Sequence, residues 1–164
     1  MQKLIYLATI IPALLVFGGC TKENRPDDLP KLYPVTLTIM LDGQPLPQAL
    51  VNLHTDDQAI AKWTVGSYTD DNGKAIIVTH GQFRGSPAGK FKVCVRKTEI
   101  EGDSAPKEPT GLVFDTGPVP TGMPKMIEYV DSLFSNKETT PLEVEILPQG
   151  KTQTFQIDVH KPQK

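Results

Sequence analysis

Beyond Tyr33 the chain alternates apolar and polar side chains with a period of two, the spacing that sets one face of a strand on a core and the other on water. Val35, Leu37, Ile39 and Leu41 share one face, with Thr36, Thr38 and Met40 on the other. A turn at Asp42-Gly43 and a link held extended by Pro45 and Pro47 lead to Ala49, Val51 and Leu53, which alternate with Leu50, Asn52 and His54. Asp56-Asp57 closes that strand, and residues 61–69, rich in aromatic and β-branched side chains, predict a third, with Gly66 as a bulge or a point of close approach. Asn72-Gly73 predicts a tight hairpin, because that pair takes the positive φ angles such a turn needs, and residues 74–79 are its return strand. After a loop, Phe91, Val93 and Val95 face inward along residues 90–97. Alternation resumes late in the chain with Leu142, Val144 and Ile146, then Phe155, Ile157 and Val159.

Between these blocks, residues 98–140 break the pattern, with five prolines and four glycines from Glu99 to Pro124, and read as an insertion. Within it only residues 125–134 have helical spacing, with Met126, Tyr129, Val130 and Leu133 on one face and Pro124 at the start, so a short helix is expected there. Seven short strands, each with one buried face, are what a two-sheet sandwich requires. The expected architecture is therefore all-β, a sandwich over residues 33–161 with one long insertion carrying a short helix. A length of 164 residues fits one domain, and 15 Pro with 13 Gly and no periodic repeat excludes an all-helical fold.

The first twenty residues have a different character. Lys3 precedes an apolar run from Leu4 to Phe17 that ends in Gly18-Gly19-Cys20, the layout of a secretory signal and too short to span a bilayer as a mature helix. Val16-Phe17-Gly18-Gly19-Cys20 resembles the bacterial lipobox, which implies a signal peptide over residues 1–19, cleavage before Cys20, and acyl chains (palmitate among them) on that residue. At about 0.8 kcal/mol per buried methylene, two or three chains make attachment to the membrane effectively permanent. Thr21, rather than Asp, follows Cys20, which by the common sorting rule favours the outer membrane over the inner. Residues 20–32, polar and Pro-containing, read as a flexible tether. With Cys20 lipidated, Cys94 is a single free thiol, and the fold rests on its core rather than on disulfides.

Three further motifs carry a resemblance to a known family. Tyr33-Pro34-Val35 into Leu41-Asp42-Gly43-Gln44-Pro45-Leu46, followed by Ala49-Leu50-Val51, resembles the opening of carboxypeptidase regulatory-like domains. Thr69-Asp70-Asp71-Asn72-Gly73 is similar to their T-D-x-x-G turn, and Pro87-Ala88-Gly89-Lys90-Phe91-Lys92-Val93 to their P-x-G-x-Y-x-V strand. Residues 124–129 and 139–144 are similar to a variant found in small bacterial lipoproteins. The resemblance implies a seven-stranded transthyretin-like (prealbumin-like) Greek-key sandwich and an accessory or binding role without catalytic residues.

Candidate chemistry is sparse. A zinc carboxypeptidase needs His-x-x-Glu, whereas His54, His80 and His160 are followed three residues later by Asp57, Phe83 and Gln163, so no metal site is expected. Phe83-Arg84-Gly85-Ser86 is similar to the terminal Y-R-G-S of transthyretin-like 5-hydroxyisourate hydrolases, but here it lies mid-chain and cannot line a cleft between subunits as a chain end does. Asp70-Asp71-Asn72-Gly73 lacks the later oxygen ligands of a calcium loop and reads as a turn. Cys94 shares a strand face with Lys92 and Arg96, which would favour a thiolate; a small residue covered by the insertion is the plainer reading. With 17 Lys+Arg against 19 Asp+Glu and a pI near 5.9, no basic field exists to hold nucleic acid. The expectation is a lipid-anchored, non-catalytic cell-envelope module, with no cofactor and with an envelope protein or a glycan as partner, the insertion being its contact surface. A carbohydrate-binding surface built on Trp63 or Tyr68 is the alternative, and an enzyme using Cys94 or His54 a further one.

Overall fold

The computed structural model describes residues 25–101 and 125–163. Cys20 and the middle of the expected insertion lie outside these residues. In chain order the first strands are β1 (Leu32–Tyr33), β2 (Val35–Leu41), β3 (Gln44–Pro45) and β4 (Leu50–His54), followed by the one-turn helix α1 (Gln58–Ala61) and β5 (Val65–Tyr68). Then come β6 (Lys74–Ile76), β7 (Val78–Thr79), β8 (Phe83–Arg84), β9 (Ser86–Pro87), β10 (Gly89–Arg96), β11 (Thr98–Glu101) and β12 (Lys125–Glu128). A 3-10 turn at Ser132–Phe134 precedes β13 (Glu143–Ile146) and β14 (Gln153–Val159). The chain is all-β.

Two principal sheets share one core. The first runs β13-β10-β4-β5-β7-β8, and the second β14-β2-β3 with β6 also paired to β2. The alternation read from β2 is realised without a slip, since Val35, Leu37, Ile39 and Leu41 are all buried and meet Val51, Leu53, Val93 and Val95 from the opposite sheet. Removing each such side chain from water contributes roughly 1.5–3 kcal/mol. Pairing is antiparallel throughout the principal sheets except between β14 and β2, which run parallel from Gln153↔Val35 to Val159↔Leu41.

Several local expectations change. The turn with two positive φ angles is Asp42-Gly43 (50° and 81°), which joins β2 to β3, whereas at Asn72-Gly73 only the glycine is left-handed, at 72°. There Asp70 shapes the turn instead: its carboxylate accepts from the N–H groups of Asn72 and Lys74, and its carbonyl from Gly73 N–H. Residues 74–79 are also not one return strand. β6 pairs with β2 and β7 with β5, and Ile77 between them donates to the Val35 carbonyl on one side and accepts from Gly85 N–H on the other. This segment therefore crosses from one sheet to the other, and with several added short pairings the described residues hold fourteen strands where seven were expected.

The strand expected over residues 61–69 starts only at Val65, because Asp57 accepts from Ala59 N–H and caps α1. Gly66 is the expected close approach: opposite Asn52, a Cβ there would come within 2.3 Å of the Val51 carbonyl oxygen. The helix expected over residues 125–134 is corrected to a strand followed by the 3-10 turn. The cause is tertiary, since β11 extends the line of β10 and offers an open edge, and β12 takes it in the register Thr98↔Glu128 to Glu101↔Lys125. The chain after β12 joins the core: Val130 and Phe134 are buried, and the buried Thr140 hydroxyl donates to the Val93 carbonyl. The domain also begins earlier than Tyr33, since Leu29 is buried, β1 pairs with β9, and Asp28 meets Lys62 at 2.6 Å.

Candidate functional site

Two adjoining grooves open at the end of the first sheet where β10 begins. The inner one, of about 290 Å³, lies between the end of β4 (Asn52 to Thr55), the α1 turn, and Thr64 and Val65, with Phe91 of β10 in its lining and Lys137 reaching it from the segment before β13. The outer one, of about 260 Å³, is lined by His54, Asp56, Lys92, Lys137 and Glu138, so His54 and Lys137 belong to both. Register explains the placement: Lys92 pairs with His54 and Cys94 with Asn52, which puts these four residues on the outer face of the sheet while Val51, Leu53, Val93 and Val95 fill the inner face.

Trp63 is the aromatic of the inner groove. Its backbone N–H donates to the Ile60 carbonyl, closing the α1 turn, and Lys62 Nζ lies 5.4 Å from its ring. The His80 ring meets it edge-on at 5.8 Å between centroids. His80 reaches that position because His80-Gly81 is a second turn with two positive φ angles (54° and 72°), between β7 and β8. Trp63 Nε1 is buried and has no hydrogen-bond partner, alone in this among the described residues' side-chain nitrogens and oxygens. Leaving such a donor unsatisfied costs about 1–3 kcal/mol.

The remaining expected site residues do not gather into a second site. Tyr68 is 67% exposed at the far end of β5, so it and Trp63 do not form one aromatic platform. Cys94 is 5% exposed, and burial pushes its thiol up, with the Glu138 carboxylate acting the same way and Lys92 opposing. The environment thus favours the protonated thiol. His54 is exposed, His80 packs on Trp63, and His160 packs edge-on against Phe134 at 4.7 Å; no group of three or more His, Cys, Asp or Glu side chains among the described residues is placed to hold a metal ion. Phe83 and Ser86 are buried within β8 and β9, and Gly85 sits against the Tyr33 backbone, so the Phe83-Arg84-Gly85-Ser86 tetrapeptide is built into the sheet. Lys137 and Glu138 were missed by sequence reasoning, because only the folding back of the insertion brings them beside His54.

At the opposite end of β10, the β11–β12 stem leaves the sandwich. Tyr129 donates to Glu99 at 2.6 Å and Lys97 meets the same carboxylate at 3.3 Å, holding the Glu99 carboxyl below the usual carboxylate range. Farther along the stem, Ile100 and Met126 face one another across the pair and are 61% and 63% exposed. No helix among the described residues is long and apolar enough to cross a membrane. In comparisons with known proteins, no family model, curated protein or solved structure matches this chain.

Proposed function

We propose that the chain is a lipid-anchored, non-catalytic binding module of the cell envelope, a transthyretin-like sandwich of the carboxypeptidase regulatory-like kind tethered through Cys20. The observation that carries this reading is the order of parts: an apolar leader ending in Gly18-Gly19-Cys20, a short polar tether, and then an all-β core. The point where the described chain enters the domain fits it. Asp28 and β1 dock beside α1 and the start of β10, so the grooves lie at the tethered end and the β11–β12 stem points the other way. Attachment is to the outer membrane in this reading.

A second reading, a carbohydrate-binding surface lipoprotein, is favoured by the inner groove, where Asn52, Thr55 and Thr64 line the same space as Trp63. Anchoring is tested by expressing the full chain and a Cys20→Ser variant in a bacterial host fed a clickable palmitate analogue. The expected result is label and membrane fractionation for the parent and loss of both in the variant. An unlabelled parent, or a variant that stays in the membrane fraction, overturns the anchor.

A further inference from the structure

We infer that the paired grooves at the tethered end bind a hydroxylated carboxylate, a sugar acid of about one hexose in size, free or at the end of a glycan. The inference rests on the binding-module reading and supplies its ligand class. The inner groove is rich in donors and none of the residues lining it is acidic. Lys137 brings an ammonium group, 3.9 Å from the Glu138 carboxylate, Asn52 an amide and Thr64 a hydroxyl. Such a set is complementary to an acceptor-rich, singly charged group, because a hydrogen bond from a cation to a carboxylate is stronger than one between neutral partners.

Ala61 and the half-buried Trp63 ring supply an apolar wall for the C–H face of a ring. Trp63 acts here as a wall rather than as a donor or a stacking platform, since its Nε1 is sealed from solvent and Lys62 and His80 already contact its ring. The outer groove is mixed, with His54, Lys92 and Lys137 beside two carboxylates. Its carboxylates, Asp56 and Glu138, are acceptors suited to hydroxyl donors. Lys137 spans the two compartments, so carboxylate and hydroxyls belong on one molecule.

The chain has a single tryptophan, which makes its fluorescence and its indole N–H resonance reporters of this groove. The full chain in detergent micelles is titrated with glucuronate, with a trigalacturonide, with glucose and a neutral trisaccharide, and with an N-acetylated dipeptide bearing a free C-terminus. Saturable change at Trp63 with the acids is expected, with the neutral sugars about tenfold weaker or more. Lys137→Ala is expected to weaken acid binding about tenfold without lowering the melting temperature, while Lys151→Ala leaves it unchanged. Equal affinity for monomer and trimer supports a free sugar acid, and tighter trimer binding a glycan end. The inference is overturned by no response to either acid up to about 10 mM, by neutral sugars binding equally well, by the dipeptide binding at least as well, or by an unaffected Lys137→Ala. Palmitate labelling on the same preparation separates the readings: a labelled protein that ignores sugar acids loses the ligand and keeps the anchor.

Discussion

β10 and β11 are nearly one continuous strand, yet their surroundings are opposite. Phe91, Val93 and Val95 are buried in β10, whereas Ile100, in β11, is 61% exposed beside Met126 at 63%. The difference is the presence of an opposing sheet. β10 lies between β13 and β4 and faces β2, while the described part of β11 has only β12. Alternation therefore announces a strand, but burial depends on what the rest of the chain brings to its apolar face.

The largest expected contrast is at Phe91. Phe91→Ala should lower stability by about 3–5 kcal/mol in chemical denaturation, and a loss comparable to a surface substitution would erase the distinction between the two halves. Next comes the link that ties the returning insertion to β10. Thr140→Val removes the hydroxyl donated to the Val93 carbonyl, and a cost of about 1–2 kcal/mol is expected by the same measurement. Cys94 tests burial of the same strand kinetically: in the folded protein iodoacetamide should modify it far more slowly than in urea. Its raised pKa stabilises the fold fully below the ordinary thiol value, and that contribution is lost as pH rises through the folded value.

On the stem, the double change Ile100→Ser with Met126→Ser should alter stability by under about 0.5 kcal/mol, and a larger loss would mean that the pair is covered. The smallest effects are electrostatic. Tyr129 and Lys97 lower the Glu99 carboxyl, and Asp131 is lowered chiefly by the Leu133 N–H. Each contributes stability that is present above the ordinary carboxylate value and disappears as pH falls through its depressed one. Carboxyl NMR titration should therefore find both midpoints below those of peptide models, with Glu99 returning to normal in Tyr129→Phe combined with Lys97→Ala.

Much of the core was legible because β2, β4, β10 and β14 keep their period of two and each has a sheet to face. Residues 125–134 defeat a local reading because Met126, Tyr129, Val130 and Leu133 satisfy a helical spacing while the pairing that decides the matter lies thirty residues back, Glu128 opposite Thr98. Asn72-Gly73 misleads for a local reason, since the Asp70 carboxylate supplies a turn in which Asn72 keeps a negative φ. In the grooves, Trp63 and His54 stand out as residue types. Lys137 and Glu138 carry no signal of their own, being two charges in a stretch of polar residues until the fold sets them beside Lys92.

The parallel pairing of β2 with β14 has a consequence for the order in which the protein can be made. β2 is the first long strand to leave a ribosome or a secretion channel and β14 the last, so one edge of β2 stays open until Val159 has emerged. Local hairpins can form before then, but the second sheet closes only once β14 is available, a non-local step of the kind that slows folding. The same open edge is then the exposure that a chaperone, or a second nascent copy, would meet first.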